Sequence, residues 1–306
     1  MSYYEKDYKP RQKIGYSGDP LALLIVINLT VFIGFMLIKV MYYLNQSPIE
    51  LFYTEILSWV SLPASFDTLI YKPWTIITHM FLHDRVWHVF GNMIWLWVFG
   101  FILKDLIGDR KLIPIYIYGG LAGALAFVLA FNTFNVFSNT LPQATALGAS
   151  AAVMAIAVAT TVTAPNYRFF PMLNGGIPLW AVTLLFLVID LATIPNDNAG
   201  GHIAHLAGAL SGYIFIVLLN KGYDGSIWMN NFFDWVNDLF NPNKTKKGKL
   251  IKGDFFNKKE NPPVSKKPKD TQQRVDELLD KISQKGYDQL TQEEKDFLKN
   301  ASKEEL

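Results

Sequence analysis

Residues 201–208 read Gly-His-Ile-Ala-His-Leu-Ala-Gly, which places two histidines in an otherwise apolar segment. A second apolar segment, residues 79–92, reads His-Met-Phe-Leu-His-Asp-Arg-Val-Trp-His-Val-Phe-Gly-Asn and holds the other three of the 5 histidines. Between them, residues 147–153 read Leu-Gly-Ala-Ser-Ala-Ala-Val. Polar side chains are costly in a bilayer and need partners there, so each is a candidate functional residue. A serine, histidines and hydrogen-bond donors in such sequence suggest nucleophilic chemistry inside a membrane.

The composition is typical of a polytopic membrane protein rather than a soluble domain. Of the 306 residues, 51% are hydrophobic, with 22 Phe and 8 Trp, and the mean hydropathy is +0.18. The net charge of +2 indicates no partner by itself, because the charges are concentrated toward the two ends, and we expect no nucleic-acid partner. The absence of cysteine excludes a disulfide framework and a thiol nucleophile.

Six apolar runs predict transmembrane helices. They are residues 21–44, 87–107, 112–131, 147–162, 179–194 and 201–219. The fourth and fifth are near the lower limit of ~17 residues for a spanning helix, which suits a bundle that is locally thinned or opened to water. The predicted fold class is therefore all-α: a polytopic, six-transmembrane-helix bundle. We expect no cleavable signal peptide, because the first 20 residues are polar and the run that follows is long enough to span.

Positive residues predict the orientation of the bundle. Lysines and arginines precede the first span, join the second to the third and the fourth to the fifth, and follow the sixth. The opposite side has Lys72 and Arg85 in its loops, with Lys39 near the end of the first span. By the positive-inside rule both termini are cytoplasmic, and we expect a multi-pass protein of the plasma membrane.

Four regions follow from these patterns. Residues 1–20 are a cytoplasmic N-terminal segment, and residues 21–220 are the membrane domain. Residues 221–269 begin with an aromatic-rich stretch that we expect at the membrane interface and continue as a disordered Lys-, Asn- and Pro-rich linker. Residues 270–306 are a cytoplasmic helical hairpin with a capping-box pattern at Thr291 to Glu294. The hairpin is too short for a strong core, so we expect it to use an unknown partner or the membrane surface.

The polar residues of the membrane domain are arranged for acyl transfer. His88 and Asn92 are spaced i, i+4 and share one helical face. Ser150 comes where the fourth helix begins, so its own N–H can point at a developing oxyanion. By the predicted topology these three residues and His205 lie at a similar depth, toward the outer face.

Glycines in the sixth span predict a close helix contact. Gly208 and Gly212 form a Gly-x-x-x-Gly face one turn below His205. The Gly- and Ala-rich fourth helix is the expected neighbour, and such close approach is what a Ser–His hydrogen bond requires.

At these residues the sequence resembles the rhomboid intramembrane serine proteases, over roughly residues 20–220. The nucleophile motif is matched by Gly148-Ala149-Ser150-Ala151, and the helix-six motif by Ala204-His205 with Gly208 and Gly212. The signature of the second helix and its approach is matched by His79, His83, His88 and Asn92, and the glycine-rich third helix by residues 118–123.

The resemblance implies a serine endopeptidase that cleaves transmembrane protein substrates in or near a transmembrane segment within the lipid bilayer. It implies a catalytic dyad of Ser150 and His205, with an oxyanion hole formed by the Ser150 amide, His88 and Asn92. Structural support would come from Gly148, Gly208, Gly212 and His83. No metal-ligand set is complete, so we expect neither a metal nor a cofactor.

Two positions depart from the family's pattern. The residue after the serine is often Gly in the family and is Ala151 here, a change that would narrow the site without removing the chemistry. The common Trp-Arg pair of the first loop is Trp74-Thr75 here, so whatever the arginine anchors must be held in another way.

Structural roles compete with functional ones for each residue taken alone. A serine in a Gly/Ala-rich helix usually packs or bonds a carbonyl. His79 and His83 are expected to be structural hydrogen-bonders, and His202 either structural or cavity-lining. We expect Asp190 to bond a neighbouring helix or loop, and no acidic third member beside the dyad.

Other chemistries fit less well. A zinc protease would need His-Glu-x-x-His, and no glutamate lies between His79 and His83. An aspartyl protease would need two intramembrane carboxylates, and Asp190 has no evident second member. A transporter would show inverted repeats of broken helices, which are not evident. The remaining alternative is a catalytically silent rhomboid-like membrane chaperone or binding protein. Loss of Ser150 or His205 would have indicated such a protein, and both residues are present.

Overall fold

The computed structural model describes residues 18–169, 175–196, 198–239 and 269–304, and the statements below concern these residues. The chain forms two compact units, Met1–Lys244 and Thr245–Leu306. Residues 1–17 of the predicted N-terminal segment and most of the predicted linker lie outside the described residues.

Six apolar helices build the first unit. They are α1 (Pro20–Leu44), α2 (Val86–Ile107), α3 (Leu112–Thr133), α4 (Ser150–Thr163), α5 (Leu179–Thr193) and α6 (Ala199–Asn220). Helices α1, α2, α3 and α6 are long and apolar enough to cross a membrane, whereas α4 and α5 are shorter apolar helices. The prediction of an all-α membrane bundle is confirmed, and its two short helices are the fourth and fifth predicted spans.

The connections contain short elements. Strand β1 (Leu62–Pro63) pairs antiparallel with β2 (Thr145–Ala146), and β3 (Arg168–Phe169) pairs antiparallel with β4 (Ile177–Pro178). Short helical turns are formed by Ile49–Leu51, Phe52–Ile56, Leu57–Trp59, Phe66–Tyr71, Thr75–Thr78, His79–Phe81, Asp109–Lys111 and Asn135–Phe137.

Helix α4 is the centre of the bundle. Its residues Ala152, Ala155, Ile156 and Ala159 are fully buried, and α2, α3, α5 and α6 all pack against it. Because other helices rather than lipid surround it, α4 can be short: its 14 residues need not match the thickness of a bilayer.

Small residues set the distance between α4 and α6. A Cβ on Gly208 would collide with the carbonyl of Ala151, and a Cβ on Gly212 would collide with the carbonyl of Ala155. The two glycines therefore let the backbones touch, as the Gly-x-x-x-Gly spacing predicts.

Two parts of the first loop, around Trp59 and around Trp74, are held together without the arginine that the resemblance would place after Trp74. The indole Nε1 of Trp74 donates to the carbonyl of Trp59 at 2.7 Å, and the two rings stack. Lys72 donates to the Ser58 carbonyl at 3.1 Å and lies over the Trp59 ring. Thr75 is fully buried and donates to the carbonyl of Lys72. Lys72 and the stacked tryptophans thus hold these two parts of the loop together.

Helix α7 (Ile227–Leu239) follows the bundle, in the stretch predicted to lie at the membrane interface. Its polar side chains attach it to the turn between α2 and α3: Asn230 donates to the carbonyl of Arg110 at 3.0 Å, and Asp234 pairs with the Arg110 guanidinium at 2.6 Å. Phe232 and Trp235 are exposed. An amphipathic helix with exposed aromatic rings is typical of an interfacial position.

The second unit is a helical hairpin of α8 (Lys269–Lys285) and α9 (Gln292–Glu304), separated by a turn at Tyr287–Gln289. The predicted capping box is present: the Thr291 N–H donates to Glu294 Oε2 at 2.8 Å, and the Glu294 N–H donates to Thr291 Oγ1 at 3.3 Å. Lys281 on α8 binds the same glutamate at 2.7 Å, and this ion pair together with the capping box lowers the pKa of the Glu294 carboxyl.

Enlarging Gly212 should force α6 away from α4. We expect Gly212→Leu to lower the free energy of unfolding by about 2 kcal/mol or more, because overpacking against rigid backbone cannot be relieved by a side-chain rotation. The measurement is equilibrium unfolding in mixed micelles. Gly34→Leu on α1 is the matched control, because a Cβ there meets no described neighbour within 4 Å. Equal stability of the two variants would contradict the packing argument.

Candidate functional site

Ser150 is the first residue of α4, three residues after the start of the predicted span. The helix begins late because Gly148 has φ +127°, a conformation that favours glycine. A Cβ on Gly148 would also lie 2.8 Å from Cε1 of His88, so the site has no room for a side chain. The Gly148 N–H donates to the carbonyl of His79 at 2.9 Å, which fixes the turn. The first amides of a helix have no intrahelical acceptor, so the Ser150 N–H lies at the positive end of α4.

The predicted serine and histidine are in contact. Ser150 Oγ and His205 Nε2 lie 2.7 Å apart, a normal hydrogen-bond distance. His205 lies near the start of α6, and the contact of Gly208 with Ala151 brings the two helices together one turn away. The geometry of a nucleophile next to its general base therefore results from the packing of α4 on α6.

Asp190 on α5 binds the other ring nitrogen of His205. Its Oδ1 lies 2.9 Å from His205 Nδ1 and 2.7 Å from His202 Nδ1. An ionised carboxylate only accepts hydrogen bonds, so both Nδ1 atoms donate, and His205 Nε2 is left to accept the Ser150 hydroxyl. The expectation that Asp190 bonds a neighbouring helix is confirmed.

The expectation of no acidic residue beside the Ser–His pair is wrong. Asp190 and His205 are 15 residues apart, on consecutive helices that face each other where the chain turns. No periodicity joins two helices across a turn, so the available signal is weaker: a single carboxylate in an apolar span.

Asn92 and His88 occupy different places around Ser150. Asn92 lines the cavity beside Ser150 and His205, and its Nδ2 donates to the carbonyl of His88 at 3.0 Å and lies 3.2 Å from His83 Nε2. The His88 ring lies against Gly148, at the turn that precedes the serine. Both predicted oxyanion donors are therefore near the N-terminus of α4, but Asn92 alone of the two lines this cavity.

His83 and His79 lie beside the turn that precedes Ser150. His83 is buried, and its Nε2 lies 3.5 Å from the N–H of Ala149 as well as near Asn92. Burial, with a smaller contribution from nearby His88, lowers the pKa of His83 to about 3. Burial likewise lowers the pKa of His79 to about 4, and its Nδ1 donates to the Thr75 carbonyl at 2.9 Å. Both rings are neutral at pH 7, as hydrogen-bonding supports of the loop rather than charged groups.

Ala151 does not line the cavity that holds Ser150, Asp190 and His205, but it lines a second, smaller cavity that Ser150 also borders. Its side chain is buried against α3, where a Cβ on Gly123 would lie 2.5 Å from it. It is absent from the lining of the main cavity, which is formed by α2, α4, α5 and His205. The methyl group that replaces the common glycine is accommodated by a glycine on the neighbouring helix.

The cavity has a volume of about 220 Å³ and a mostly apolar wall. Its polar lining residues are Asn92, Ser150, Asp190 and His205. Trp95 of α2 and Phe186 of α5 also line it, with ring centroids 4.7 Å apart in a T-shaped contact. A few converging polar groups in an apolar cleft are typical of a binding site.

Among the described residues, Asp190, His202 and His205 are a group whose ligand atoms lie close enough to hold a metal ion, within 4.8 Å of one another. The hydrogen bonds between these three side chains account for their positions without a metal. His202 also lies 3.4 Å from Thr193 Oγ1, so of its two expected roles the structure shows the hydrogen-bonding one.

Comparison with known proteins gives two family matches. The model of the Rhomboid domain matches residues 71–222, a range that contains every residue of the site described above. The model of a family of unknown function, DUF6576, matches residues 264–304, which include the helical hairpin.

Several curated proteins are similar to part of this chain. RHOMBOID-like protein 12, mitochondrial, of Arabidopsis thaliana is 31% identical over 161 residues, 48% of this chain and 47% of that protein. Rhomboid protein 1, mitochondrial, of Saccharomyces cerevisiae is 26% identical over 162 residues, 49% of this chain and 43% of that protein. Rhomboid protease GlpG of Salmonella newport is 30% identical over 67 residues, 22% of this chain and 24% of that protein. The chain spans less than half the length of each of these relatives.

Proposed function

Because this chain belongs to the rhomboid family, we propose that it is a serine-type endopeptidase that cleaves membrane proteins in or near a transmembrane segment. The observation that carries the proposal is the 2.7 Å contact between Ser150 Oγ and His205 Nε2 at the wall of an apolar cavity. A serine that merely packed in the bundle would not need an imidazole acceptor at the positive end of a helix.

The proposed reaction follows the serine-protease pattern. Ser150 Oγ attacks a peptide carbonyl while its proton passes to His205 Nε2, which later gives the proton to the leaving amine. Water then attacks the acyl-enzyme with His205 again as base, which releases the second product and restores the serine. No step needs a metal or a cofactor.

The charge on the carbonyl oxygen would be stabilised by the Ser150 N–H and the Asn92 side-chain amide, with His88 as a further donor. The Asn92 amide nitrogen is already engaged by the His88 carbonyl and His83. It would therefore turn one N–H toward the oxyanion as the charge develops, at the cost of one of these weaker neutral bonds.

The proposed substrates are transmembrane proteins. The apolar cavity between α2 and α5 suits an apolar side chain, and a peptide must be extended for its carbonyl to reach Ser150. A hydrogen-bonded helix hides its carbonyls, so segments that unwind near the membrane surface are favoured. The resemblance to rhomboid proteases would imply small residues at the cleaved bond.

The second candidate function is a catalytically silent rhomboid-like chaperone or binding protein. The names of the two mitochondrial relatives specify no activity, whereas one bacterial relative is named a protease. Retention of Ser150, His205 and their hydrogen bond favours the protease, because a binding protein would have no use for this pair.

We also propose the plasma membrane as the location, with the start of α1 and the turn between α2 and α3 on the cytoplasmic side. Lys104 of α2 pairs with Asp19 at 2.8 Å, so these two ends lie together. Positive residues cluster at this end of the bundle, as the positive-inside rule requires. The helical hairpin would use a partner or the membrane surface on the same side.

Covalent labelling tests the nucleophile. We expect a fluorophosphonate probe to label the wild-type protein and to leave Ser150→Ala unlabelled, and His205→Ala to lose cleavage of a model transmembrane substrate. Ser211→Ala on α6 is the matched control and should label at the wild-type rate. Chelators should leave cleavage intact. Activity that survives in Ser150→Ala would rule out the mechanism, and a folded wild type that neither labels nor cleaves would favour the silent alternative.

Substitution of the donors tests the oxyanion hole. Asn92→Ala should reduce turnover by about 10²-fold while still reacting slowly with the probe, because the Ser150 N–H remains. Asn132→Ala is a matched control, since the amide nitrogen of Asn132 likewise has two hydrogen-bond partners, both carbonyls, but lies between α3 and the first loop. Wild-type turnover in folded Asn92→Ala and His88→Ala would contradict the oxyanion assignment and leave both residues with a structural role only.

Cysteine accessibility tests the orientation, and the chain's lack of native cysteine gives a clean background. Single cysteines at Asp19 and Arg168 should be protected from an impermeant thiol reagent in intact cells, whereas cysteines at Ile49 and Phe137 should react. A protected cysteine at Phe137 would place the loop after α3, and with it the site, on the cytoplasmic side. That result would contradict the proposed topology.

A further inference from the structure

The Ser150–His205 pair has an acidic neighbour that the dyad mechanism does not use. Asp190 Oδ1 accepts from His205 Nδ1 at 2.9 Å, on the side of the ring opposite the serine. The carboxylate is buried, with 6% of the residue exposed, and it comes from α5, an otherwise apolar helix. A carboxylate in such surroundings is costly unless it is paired and hydrogen-bonded.

We infer that Asp190 is a positioning residue for the reaction of Ser150, which it aids by fixing the orientation and tautomer of His205. This inference rests on the proposed function. The order Asp190 Oδ1, His205 Nδ1, His205 Nε2, Ser150 Oγ is that of a Ser-His-Asp triad, built here from three different helices.

The tautomer is the physical basis of the effect. A neutral imidazole carries its proton on one of two nitrogens, and only the form with a bare Nε2 can take the serine proton. Because the carboxylate can only accept, it selects the form with the proton on Nδ1. When Nε2 receives the serine proton, the ring becomes positively charged and the carboxylate stabilises it; the Nδ1 proton stays on the ring.

His202 holds the carboxylate in place. Its Nδ1 lies 2.7 Å from the same Oδ1, and its ring stands perpendicular to that of His205 with centroids 5.9 Å apart. A carboxylate with two donors on one oxygen loses the freedom to rotate away from His205. His202 thus acts on the serine only through Asp190, so its removal should have the smaller effect.

A purely structural role for Asp190, as a link between α5 and α6, predicts different measurements. If the role were structural, Asp190→Asn would lower the unfolding temperature, and its effect on kcat would add to the effect of His205 substitutions. If the role is positioning, Asp190→Asn lowers kcat with little change in KM. This effect vanishes when His205 is absent, because the two residues act as a unit.

The test compares Asp190→Asn with Asp190→Glu, His202→Ala and the control Thr193→Val, which removes the longer contact to His202 and two hydrogen bonds to α5 carbonyls but leaves the Asp190 carboxylate and both of its imidazole donors in place. For Asp190→Asn we expect kcat to fall by at least about 10²-fold, since a carboxamide can present the wrong tautomer, with KM and unfolding temperature near the wild-type values. Asp190→Glu should recover part of the loss, His202→Ala should lose about 10-fold or less, and Thr193→Val should be unchanged. In the His205→Ala background, Asp190→Asn should change nothing further.

Histidine nitrogen NMR gives a readout that does not depend on catalysis. In the wild type, Nδ1 of His205 should be protonated and Nε2 unprotonated, and Asp190→Asn should mix the two forms. Wild-type kcat in a folded Asp190→Asn, or a His205 protonated on Nε2, would overturn the inference. An inactive wild type would refute the proposed protease function instead, and the NMR result would still decide the role of Asp190. If Asp190→Asn does not fold, the wild-type tautomer and Asp190→Glu decide it.

Discussion

The contact of α6 with α4 is the constraint on which the site depends. Gly208 and Gly212 meet the backbone carbonyls of Ala151 and Ala155, so no side chain separates the two helices. At this separation Ser150 and His205, each near the start of its helix, are within hydrogen-bond distance. A single methyl group on either glycine would widen the gap, and a side-chain pair that is moved apart to about 3.6 Å is no longer a hydrogen bond.

The second constraint is the partnering of polar groups in apolar surroundings. The carbonyl of His79 accepts a hydrogen bond from the N–H of Gly148, and His83 lies beside the N–H of Ala149. The Asp190 carboxylate accepts hydrogen bonds from two imidazoles. Each bond satisfies a buried group that would otherwise cost free energy, and each also fixes a part of the turn or the ring next to Ser150. The same hydrogen bonds therefore stabilise the fold and orient the reacting groups.

The two departures from the family's pattern are each accommodated by contacts with neighbouring residues. Ala151 packs against Gly123 on α3, so the extra methyl group lies outside the lining of the main cavity and borders only the smaller one. In the first loop, the ammonium of Lys72 lies over the ring of Trp59, and Trp59 stacks on Trp74. These contacts hold two parts of the loop together where the common arginine is missing. Both solutions depend on neighbours that are distant in the sequence.

The sequence by itself determined the six apolar helices and the identity of the residues around the serine. Hydropathy over some twenty residues decides whether a helix is stable in lipid, and it is a local property, so the bounds of five helices were predicted to within two residues. The late start of α4 at Ser150 was missed, because apolar composition continues through Leu147 while the backbone turns at Gly148. Only the tertiary structure decided the place of Asp190. A carboxylate on α5 binds an imidazole on α6 because of how two helices face each other after a turn, and that rotation is set by packing against α4 rather than by any pattern within either helix. The engagement of Asn92 by His83 was decided in the same way, by the path of the first loop over the start of α4.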